Sequence, residues 1–279
     1  MKQKAALGSA EWLGFEDQVC VVTGGGSGIG AETARLFGSA GARVAVLDRN
    51  AEAAAAVATE IERAGARAIG LLADVGRADT VADAAAKVDS ELGPCRVLVN
   101  NAAVRHRDEL VDISLEAWNR VLTVNLTGAL VCTQAFIPRM IAAGKGGSIV
   151  HVASLIGQHP HAGSGAYSVS KAGLIMLSRV LAVELGRHGI RSNVVSPGHT
   201  RTPATEAAYR DPETAAAREA LIPIGRVGQP VDLAQVIAFL ASDRSAFVNG
   251  EEIVADGGFA RTLMNAVPRP ADMFKETKA

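Results

Sequence analysis

The chain has 279 residues, of which 48% are hydrophobic, and its 28 basic and 29 acidic residues leave a net charge of −1. This length and apolar content suffice for a substantial core and disfavour a disordered chain. Because the charges nearly balance and the basic residues are dispersed, binding of nucleic acid or of an anionic membrane through a basic patch is not expected.

The cysteines and the N-terminal stretch indicate the compartment. Cys20, Cys95 and Cys132 lie in or beside apolar runs without a CxxC spacing, and we interpret them as buried thiols of a reducing compartment. The apolar region after Lys4 is interrupted at Gly8, which makes it too short for a secretion signal. No continuous apolar run approaches the ~18 residues that a membrane span needs. We therefore expect a soluble, cytoplasmic protein.

Residues 17–260 alternate short β-branched runs with longer Ala-rich helical patterns, whereas residues 1–16 and 261–279 are expected to form an N-terminal extension and a C-terminal tail. The predicted strands are 19–22, 43–47, 67–72, 97–100, 148–152, 191–195 and 252–254, and the predicted helices are 29–39, 51–64, 77–91, 115–142, 165–187 and 230–241. This order predicts the α/β class. We expect a single-domain, Rossmann-type doubly wound parallel sheet of about seven strands with helices on both faces.

A glycine-rich turn follows the first predicted strand. Gly24, Gly28 and Gly30, with Ser27 and Ile29 beside them, lead into the first predicted helix. Glycines allow a sharp turn and a close approach to a pyrophosphate, and a helix N-terminus offers free N–H groups and a positive dipole end. A glycine-rich loop alone is a weak signal, but its place between the first strand and the first helix favours a dinucleotide site.

Asp48, at the end of the second predicted strand, bears on the choice of dinucleotide. A carboxylate there is placed to accept both ribose hydroxyls of adenosine and to repel a 2′-phosphate. The neighbouring Arg49 partly offsets that charge, and a strand-end aspartate is also a common helix cap. Since Ser27 rather than a basic residue precedes Gly28, we predict NAD, with NADP less favoured.

Tyr167 and Lys171 are four residues apart in a predicted helix, which puts a phenol and an ammonium on one face. A free phenol titrates near pH ~10, so acid–base use near neutrality requires the phenolate to be stabilised by about 4 kcal/mol. One lysine charge ~4 Å away supplies about 1 kcal/mol in water and about 4 kcal/mol at an effective dielectric constant of ~20. The pair therefore predicts a partly desolvated catalytic cleft, although the same spacing is common in ordinary surface pairs.

From residue 19 to 259 the chain resembles the short-chain dehydrogenases/reductases. The elements that match in order and spacing are the glycine turn, Asp74 with Val75, the run Asn100, Asn101, Ala102 and Ala103, then Asn125, Ser154, Tyr167 with Lys171, Pro197 with Gly198, and the Asp-Gly-Gly at 256–258. Each element is short, but together they are specific. Ala103 departs from the pattern, because the family usually has glycine there.

The resemblance implies where the cofactor binds. Asp74 would bind the adenine edge with Val75 beside it, and the Asn101 region, with Ala102 and Ala103, would line the adenosine side of the cleft. The nicotinamide end would be held by Pro197, Gly198, Thr200 and Thr202. Tyr167 and Lys171 would reach the cofactor as well, because Lys171 is expected to bind the nicotinamide ribose.

The resemblance also implies the catalytic roles. Ser154 would hydrogen-bond the substrate oxygen, Tyr167 would exchange its proton, Lys171 would favour the ionised phenol, and Asn125 would hold a water of the proton relay. These roles suit hydride transfer, which needs a base for the hydroxyl proton and donors for the developing oxyanion. Taken singly, Ser154 is also typical of a strand-end turn and Asn125 of a buried amide.

These expectations lead to one preferred function and two alternatives. The preferred one is hydride transfer between NAD(H) and a secondary alcohol or ketone that is small and polar, cyclic or sugar-like. The alternatives are a 3-oxoacyl thioester reductase using NADPH and a non-catalytic dinucleotide-binding regulator. Arg105, His106, Arg107, His159, His161 and His199 would make the substrate pocket mildly cationic, which would favour a small polar or anionic substrate, although such residues are also typical of solvated loops. Residues 202–223 would form a lid, no metal site is expected, and the family suggests a homotetramer.

Overall fold

The computed structural model describes residues 10–267. Residues 1–9 and 268–279, parts of the expected N-terminal extension and C-terminal tail, lie outside the described residues. The strands are β1 (Val19–Thr23), β2 (Arg43–Asp48), β3 (Ala68–Leu72), β4 (Val97–Asn100), β5 (Gly147–Val152), β6 (Ile190–Pro197) and β7 (Glu252–Ala255). All seven predicted strands are confirmed. The largest shift is at β6, which runs to Pro197 rather than ending at 195.

The seven strands form one parallel sheet in the order β3-β2-β1-β4-β5-β6-β7. β1 lies between β2 and β4, and Val21 is paired with Ala45 on one side and Leu98 on the other. The chain thus builds one half of the sheet outward from β1 and then returns to build the other half from β4. The predicted doubly wound parallel sheet is confirmed.

The α-helices are α1 (Gly28–Ser39), α2 (Ala51–Arg63), α3 (Ala78–Glu91), α4 (Leu115–Leu122), α5 (Gly128–Ala143), α6 (Gly165–Leu185), α7 (Pro212–Ala220) and α8 (Pro230–Ala241). Several begin at side-chain caps that the sequence supplies. Asn50 accepts the backbone N–H groups of Glu52 and Ala53 at the start of α2, and Asp211 accepts that of Thr214 at the start of α7. Such caps satisfy donors that have no partner within the helix.

The core lies on both faces of the sheet, because successive residues of β1 point to opposite sides. Cys20 and Val22 pack with residues of α1, α2 and α8, whereas Val19 and Val21 pack with residues of α3 and α5. All four side chains are buried. This explains why the strand is a continuous apolar run instead of an alternating one.

The predicted helix 115–142 is the main difference from the sequence expectation. It spans Leu115–Ala143 but is interrupted by a π-helical segment, Thr123–Thr127, that separates α4 from α5. A π turn holds one more residue than an α turn and is often found at functional sites. Periodicity alone does not reveal it, since the apolar residues continue on both sides.

The whole helical stretch Leu115–Ala143 is long and apolar enough to cross a membrane by length and composition, although its apolar residues do not form one continuous run. Its second half is part of the core of the fold. Cys132, Phe136 and Met140 on α5 are buried in the layer that α5 shares with the sheet and α3. The apolar composition of this helix therefore reflects packing against the sheet.

Replacing Phe37 by alanine is expected to lower the free energy of unfolding by about 3–5 kcal/mol. The Phe37 ring is completely buried and meets the Phe15 ring edge-on, with centroids 4.9 Å apart. Phe247 is fully exposed, so Phe247→Ala is the matched control and should change the free energy by less than about 0.5 kcal/mol. Urea denaturation measures both, and equal losses in the two variants would contradict this assignment of the core.

Candidate active site

The strand order reverses between β1 and β4, and parallel α/β sheets leave a crevice for ligands at the carboxyl ends of the strands at such a point. A cleft of ≈ 2230 Å³ opens there. It exceeds the roughly 300–1,000 Å³ of ordinary ligand pockets, so a dinucleotide and a substrate can be accommodated together. The residues of the predicted site that line it are Gly24, Ser27, Gly28, Ile29, Asp48, Arg49, Asp74, Val75, Asn101, Ala102, Ala103, Ser154, Tyr167, Lys171, Pro197, Gly198, Thr200 and Thr202.

Gly30 does not line the cleft, and its role is in packing. A Cβ at this position would lie 2.3 Å from the carbonyl oxygen of Gly24, so the first turn of α1 approaches the glycine loop more closely than any side chain allows. Gly24 itself has a φ of +62°, a conformation that favours glycine. Together the two glycines bring the N-terminus of α1 to the cleft.

The N-terminus of α1 has donors available for an anion. Ser27 occupies the N-cap position, but its side chain makes no capping bond. The first N–H groups of a helix have no partner within it, and they carry the positive end of the helix dipole. This observation fits a pyrophosphate at the start of α1.

Thr23 and Asn101 fix the glycine loop to β4; Thr23 opens the glycine turn but was not among the residues predicted to bind the cofactor. The Thr23 hydroxyl donates to the carbonyl oxygen of Val99 and accepts the N–H groups of Asn101 and Ala102. The Asn101 amide donates to the carbonyl oxygens of Thr23 and Gly24, at 2.9 and 3.1 Å. Asn101 therefore positions the loop in addition to lining the cleft. Its place beside Thr23 follows from strand pairing, which sequence motifs do not show.

The two acidic residues predicted at the adenosine end are held by backbone donors. Asp48 accepts the N–H of Gly26 at 3.0 Å through one carboxylate oxygen and that of Asn50 at 2.9 Å through the other. Asp74 accepts the N–H of Gly76 at 2.9 Å. Each carboxylate is oriented by these bonds and keeps lone pairs for hydroxyl or amine donors. Arg49 is exposed at the rim.

Tyr167 and Lys171 lie on one face of α6, as their spacing predicted. The Lys171 ammonium is 5.6 Å from the centroid of the Tyr167 ring, and both side chains are buried at the cleft wall, Lys171 almost completely. Lys171 Nζ donates to the carbonyl oxygen of Val152 at 2.7 Å. The last residue of β5 thus fixes the ammonium beside the phenol.

Burial determines the protonation behaviour around Lys171. Desolvation lowers the pKa of Lys171; the nearby Tyr167 phenol opposes this shift, and the Arg105 guanidinium adds to it. His151, completely buried on β5, has its pKa lowered to about 3 by desolvation and by the Lys171 charge. His151 therefore stays neutral near pH 7. Its Nδ1 lies 3.3 Å from the Asn100 amide nitrogen, and this buried pair was not part of the predicted site.

Asn125 lies in the π-helical segment, buried behind the cleft wall. Its amide oxygen accepts the N–H of Val104 at 2.8 Å, while its nitrogen donates to the Val104 carbonyl oxygen and to the Ser170 hydroxyl. Ser170 in turn donates to the carbonyl oxygen of Tyr167. The Asn125 side chain thus connects the loop after β4 to the first turns of α6. Both of its N–H donors are used by the chain itself.

Ser154 follows β5 and precedes the short 3-10 turn Leu155–Gly157. It is half-buried at the cleft, and its hydroxyl has no hydrogen-bond partner within residues 10–267. The hydroxyl is therefore available to a bound molecule, while the Ser154 carbonyl oxygen accepts the N–H of Gly157. Ser154 and the Tyr167–Lys171 pair share the same cleft wall.

The segment after β6 also lines the cleft, and a turn at residues 202–205 is held by the Thr205 side chain. The Thr205 hydroxyl donates to the Thr200 carbonyl oxygen at 2.8 Å and accepts the Thr202 N–H at 2.9 Å. A Cβ on Gly198 would lie 2.5 Å from the Cβ of Asp256, so Gly198 permits the close contact with the segment after β7. Within residues 10–267, no group of three or more His, Cys, Asp or Glu side chains is arranged to hold a metal ion.

Replacing Lys171 by methionine is expected to remove one component of the pH dependence of stability. Because the folded-state pKa of Lys171 lies below its ordinary 10.5, the unfolded chain binds more protons between these values, and stability rises with pH across that window. The unfolding free energy of the wild type relative to Lys171→Met should therefore rise towards pH ~10.5, by at most about 1.4 kcal/mol per pH unit.

Urea unfolding at several pH values from 7 to 10 measures this difference. Lys87→Met is the matched control, because Lys87 is exposed on α3 and its ammonium stays in water. The difference between wild type and Lys87→Met should remain flat. A flat difference for Lys171→Met as well would contradict the burial of a titrating ammonium.

Comparisons with known proteins agree with this geometry. A family model described as enoyl-(acyl carrier protein) reductase matches residues 24–260. The cis-4-hydroxycyclohexanecarboxylate dehydrogenase of Sinomonas cyclohexanicum is 42% identical over 247 residues, which is 88% of this chain and 97% of that protein. The 3-oxoacyl-(acyl-carrier-protein) reductase of Thermotoga maritima is 40% identical over 245 residues, 88% of this chain and 98% of that protein.

A solved structure supports the same conclusion. The crystal structure of a short-chain type dehydrogenase/reductase from Mycobacterium marinum superimposes with a TM-score of 0.83 at 35% identity, covering 88% of this chain and 96% of that one. The likeness therefore includes the fold and nearly the whole described chain. The chain belongs to the short-chain dehydrogenase/reductase family of oxidoreductases.

Proposed function

We propose that the protein transfers a hydride between NAD(H) and the carbon of a secondary alcohol or ketone, with Tyr167 as the acid–base residue. The observation that carries this proposal is the buried Lys171 ammonium, fixed by the Val152 carbonyl oxygen 2.7 Å away and lying beside the Tyr167 ring. A positive charge in a desolvated site favours the phenolate far more than it would in water. Such a phenolate accepts the proton of a substrate hydroxyl.

The other side chains have matching roles in this proposal. The free hydroxyl of Ser154 donates to the substrate oxygen as negative charge develops there. Lys171 has donors beyond the one that Val152 accepts, which can reach a ribose hydroxyl. Asn125 is proposed to hold a relay water, and its bonds to Val104 and Ser170 support a second role in keeping the loop and α6 in register.

The chain's own residues supply a matching cradle for the dinucleotide. Gly24 and the uncapped start of α1 would receive the pyrophosphate, with Ser27, Gly28, Ile29 and Gly30 forming that turn. Asp48 and Arg49 would lie at the adenosine ribose, Asp74 and Val75 at the adenine, Asn101, Ala102 and Ala103 along the adenosine side, and Pro197, Gly198, Thr200 and Thr202 at the nicotinamide. The nicotinamide supplies the hydride acceptor or donor when it is bound.

Asp48 supports NAD over NADP. Its carboxylate is oriented by two backbone N–H groups, so a 2′-phosphate would meet a fixed negative charge. Arg49 is exposed and makes no ion pair within residues 10–267, and it offsets that repulsion only through solvent. We therefore propose NAD as the preferred cofactor.

The substrate is proposed to be a small polar, cyclic or sugar-like alcohol. The relative from Sinomonas cyclohexanicum, which acts on a hydroxycyclohexanecarboxylate by its name, supports the cyclic class. The alternative, reduction of a 3-oxoacyl thioester with NADPH, is favoured by the relative from Thermotoga maritima and disfavoured by Asp48. A non-catalytic dinucleotide-binding role is the alternative of another class, and the free Ser154 hydroxyl and the buried ammonium speak against it.

Three further expectations accompany this function. Residues 202–223, which include α7, are proposed to close over the substrate as a lid, in a domain of residues 17–260. We propose a cytoplasmic protein that binds neither nucleic acid nor membrane. A homotetramer is proposed, supported by the apolar side chains of Met176, Val180 and Val183, which are exposed at helical spacing on α6.

Tyr167→Phe tests the mechanism. Turnover should fall by about 10²- to 10⁴-fold because the proton acceptor is lost, while the affinity for NAD measured by calorimetry should remain within a few-fold of the wild type. Tyr209→Phe is the matched control, since Tyr209 is the other of the chain's two tyrosines. The Tyr209→Phe enzyme should keep its turnover. An active Tyr167→Phe enzyme would refute the mechanism. Retained NAD binding without any turnover in the wild type would favour the non-catalytic role.

Asp48→Asn tests the cofactor choice. Removing the charge while keeping an oxygen acceptor should raise the ratio of kcat/KM with NADP to kcat/KM with NAD by about tenfold or more, because like-charge repulsion costs several kcal/mol. Arg49→Gln, which removes a positive charge beside Asp48, is the control and should leave this ratio unchanged or lower it. The cofactor assignment is wrong if Asp48→Asn leaves the ratio unmoved.

A further inference from the structure

Arg105 occupies an unusual position at the substrate end of the cleft. It lies in the loop after β4, its side chain is exposed, and it lines the cleft. Its guanidinium carbon is 5.4 Å from the centroid of the Tyr167 ring. A positive charge thus stands over the aromatic ring that bears the proposed acid–base hydroxyl.

The guanidinium of Arg105 has no anionic partner in the described chain. Within residues 10–267 it makes neither a hydrogen bond nor an ion pair. The nearest carboxylate along the chain, that of Asp108, lies 2.6 Å from Nε2 of His106. Arg201 and Arg226, by comparison, each bind a carboxylate at 2.6 Å. All five N–H donors of Arg105 are therefore available to a bound molecule.

Other basic groups line the same cleft. His199 and Arg218 both line it and are half-buried. Desolvation lowers the pKa of His199, and the charges of Arg218 and His161 lower it further. Glu109 and Asp112 line the cleft further along the loop that carries Arg105. The two charged groups recorded against the Tyr167 ring are Arg105 and Lys171, both basic.

We propose that the alcohol substrate carries a carboxylate and that Arg105 is the specificity-determining residue that receives it, an inference that rests on the proposed oxidoreduction at Tyr167. A guanidinium matches a carboxylate with two parallel N–H···O bonds. Because Arg105 stands over the ring of Tyr167, a substrate hydroxyl at the phenol leaves the carboxylate only a few atoms away. The substrate class is therefore a compact hydroxy acid, or the corresponding oxo acid in the reverse direction.

A role for Arg105 at the phenol, instead of at the substrate carboxylate, would change the rates with charged and neutral alcohols in a different way. If the guanidinium acted only by stabilising the Tyr167 phenolate, its removal would slow charged and neutral alcohols equally. If it receives the carboxylate, only the charged substrate loses the interaction. Comparing an acid with its uncharged primary amide therefore distinguishes the two roles, since both molecules have nearly the same shape.

The first experiment measures kcat/KM for 4-hydroxycyclohexanecarboxylate and 3-hydroxybutanoate, each beside its primary amide, with NAD and with NADP. The wild type should prefer the acids by about 10- to 100-fold, the range expected for hydrogen bonds to a charged group. Arg105→Gln should remove most of this preference by raising KM for the acids, with the amides changed less than about threefold. Arg105→Lys should fall between, because it keeps the charge but not the planar fork.

Two further variants locate the effect. Arg218→Gln removes a second guanidinium from the cleft lining, and Arg210→Gln removes an exposed one outside the lining. Both should keep most of the acid preference. Loss of the preference in Arg218→Gln but not in Arg105→Gln would overturn the assignment to Arg105, and an equal loss for acids and amides in Arg105→Gln would assign it to the phenol instead.

A binding measurement separates this inference from the proposed function. Calorimetry in the presence of NAD compares cyclohexanecarboxylate with cyclohexanecarboxamide, neither of which can be oxidised at a hydroxyl carbon. The wild type should bind the acid at least about tenfold more tightly than the amide, and Arg105→Gln should abolish the difference. If no alcohol is turned over but this difference is present, the proposed function fails and the anion site stands. If alcohols are oxidised and the difference is absent, the anion site is refuted.

Discussion

The ammonium of Lys171 lies almost completely out of water, and this one buried charge imposes conditions on everything around it. An unpaired ion in a protein interior is costly, and here the Val152 carbonyl oxygen and the neighbouring Tyr167 ring are its described contacts. A carboxylate in the same place would satisfy the charge more fully. It would also cancel the positive potential of Lys171 at the Tyr167 phenol. The site therefore keeps a positive charge that is only partly compensated.

Side-chain hydrogen bonds connect the elements around this charge. His151, whose pKa is lowered by desolvation and by the Lys171 charge, remains neutral near pH 7. It therefore adds no second buried positive charge. Asn125 joins the loop after β4 to Ser170 on α6, and Thr23 joins the glycine loop to the end of β4. These bonds are between neighbouring strand ends and helix starts, where a displacement of one element would move the phenol or the cofactor cradle relative to the other.

The sequence was informative where function depends on spacing within one element or on the order of elements. Tyr167 and Lys171 share a helix face because helices repeat every 3.6 residues, and the continuous apolar strands identify a buried parallel sheet before any contact is known. Contacts between distant segments were not predictable in this way. The bond between Lys171 and Val152, the pairing of His151 with Asn100, and the position of Arg105 over Tyr167 all depend on how β4, β5 and α6 are placed side by side. The π segment was missed because its extra residue leaves the apolar composition of the helix unchanged.

The extra residue of the π-helical segment allows α4 and α5, which are otherwise one helix, to pack against different parts of the fold. An insertion within a helical turn rotates everything beyond it about the helix axis, so the two halves present their apolar sides in different directions. α4 packs with Val104 and the start of α6, where Tyr167 lies, whereas α5 packs against the sheet and α3. The π-helical segment at Asn125 therefore lets α4 pack along the cleft while α5 packs in the core of the fold.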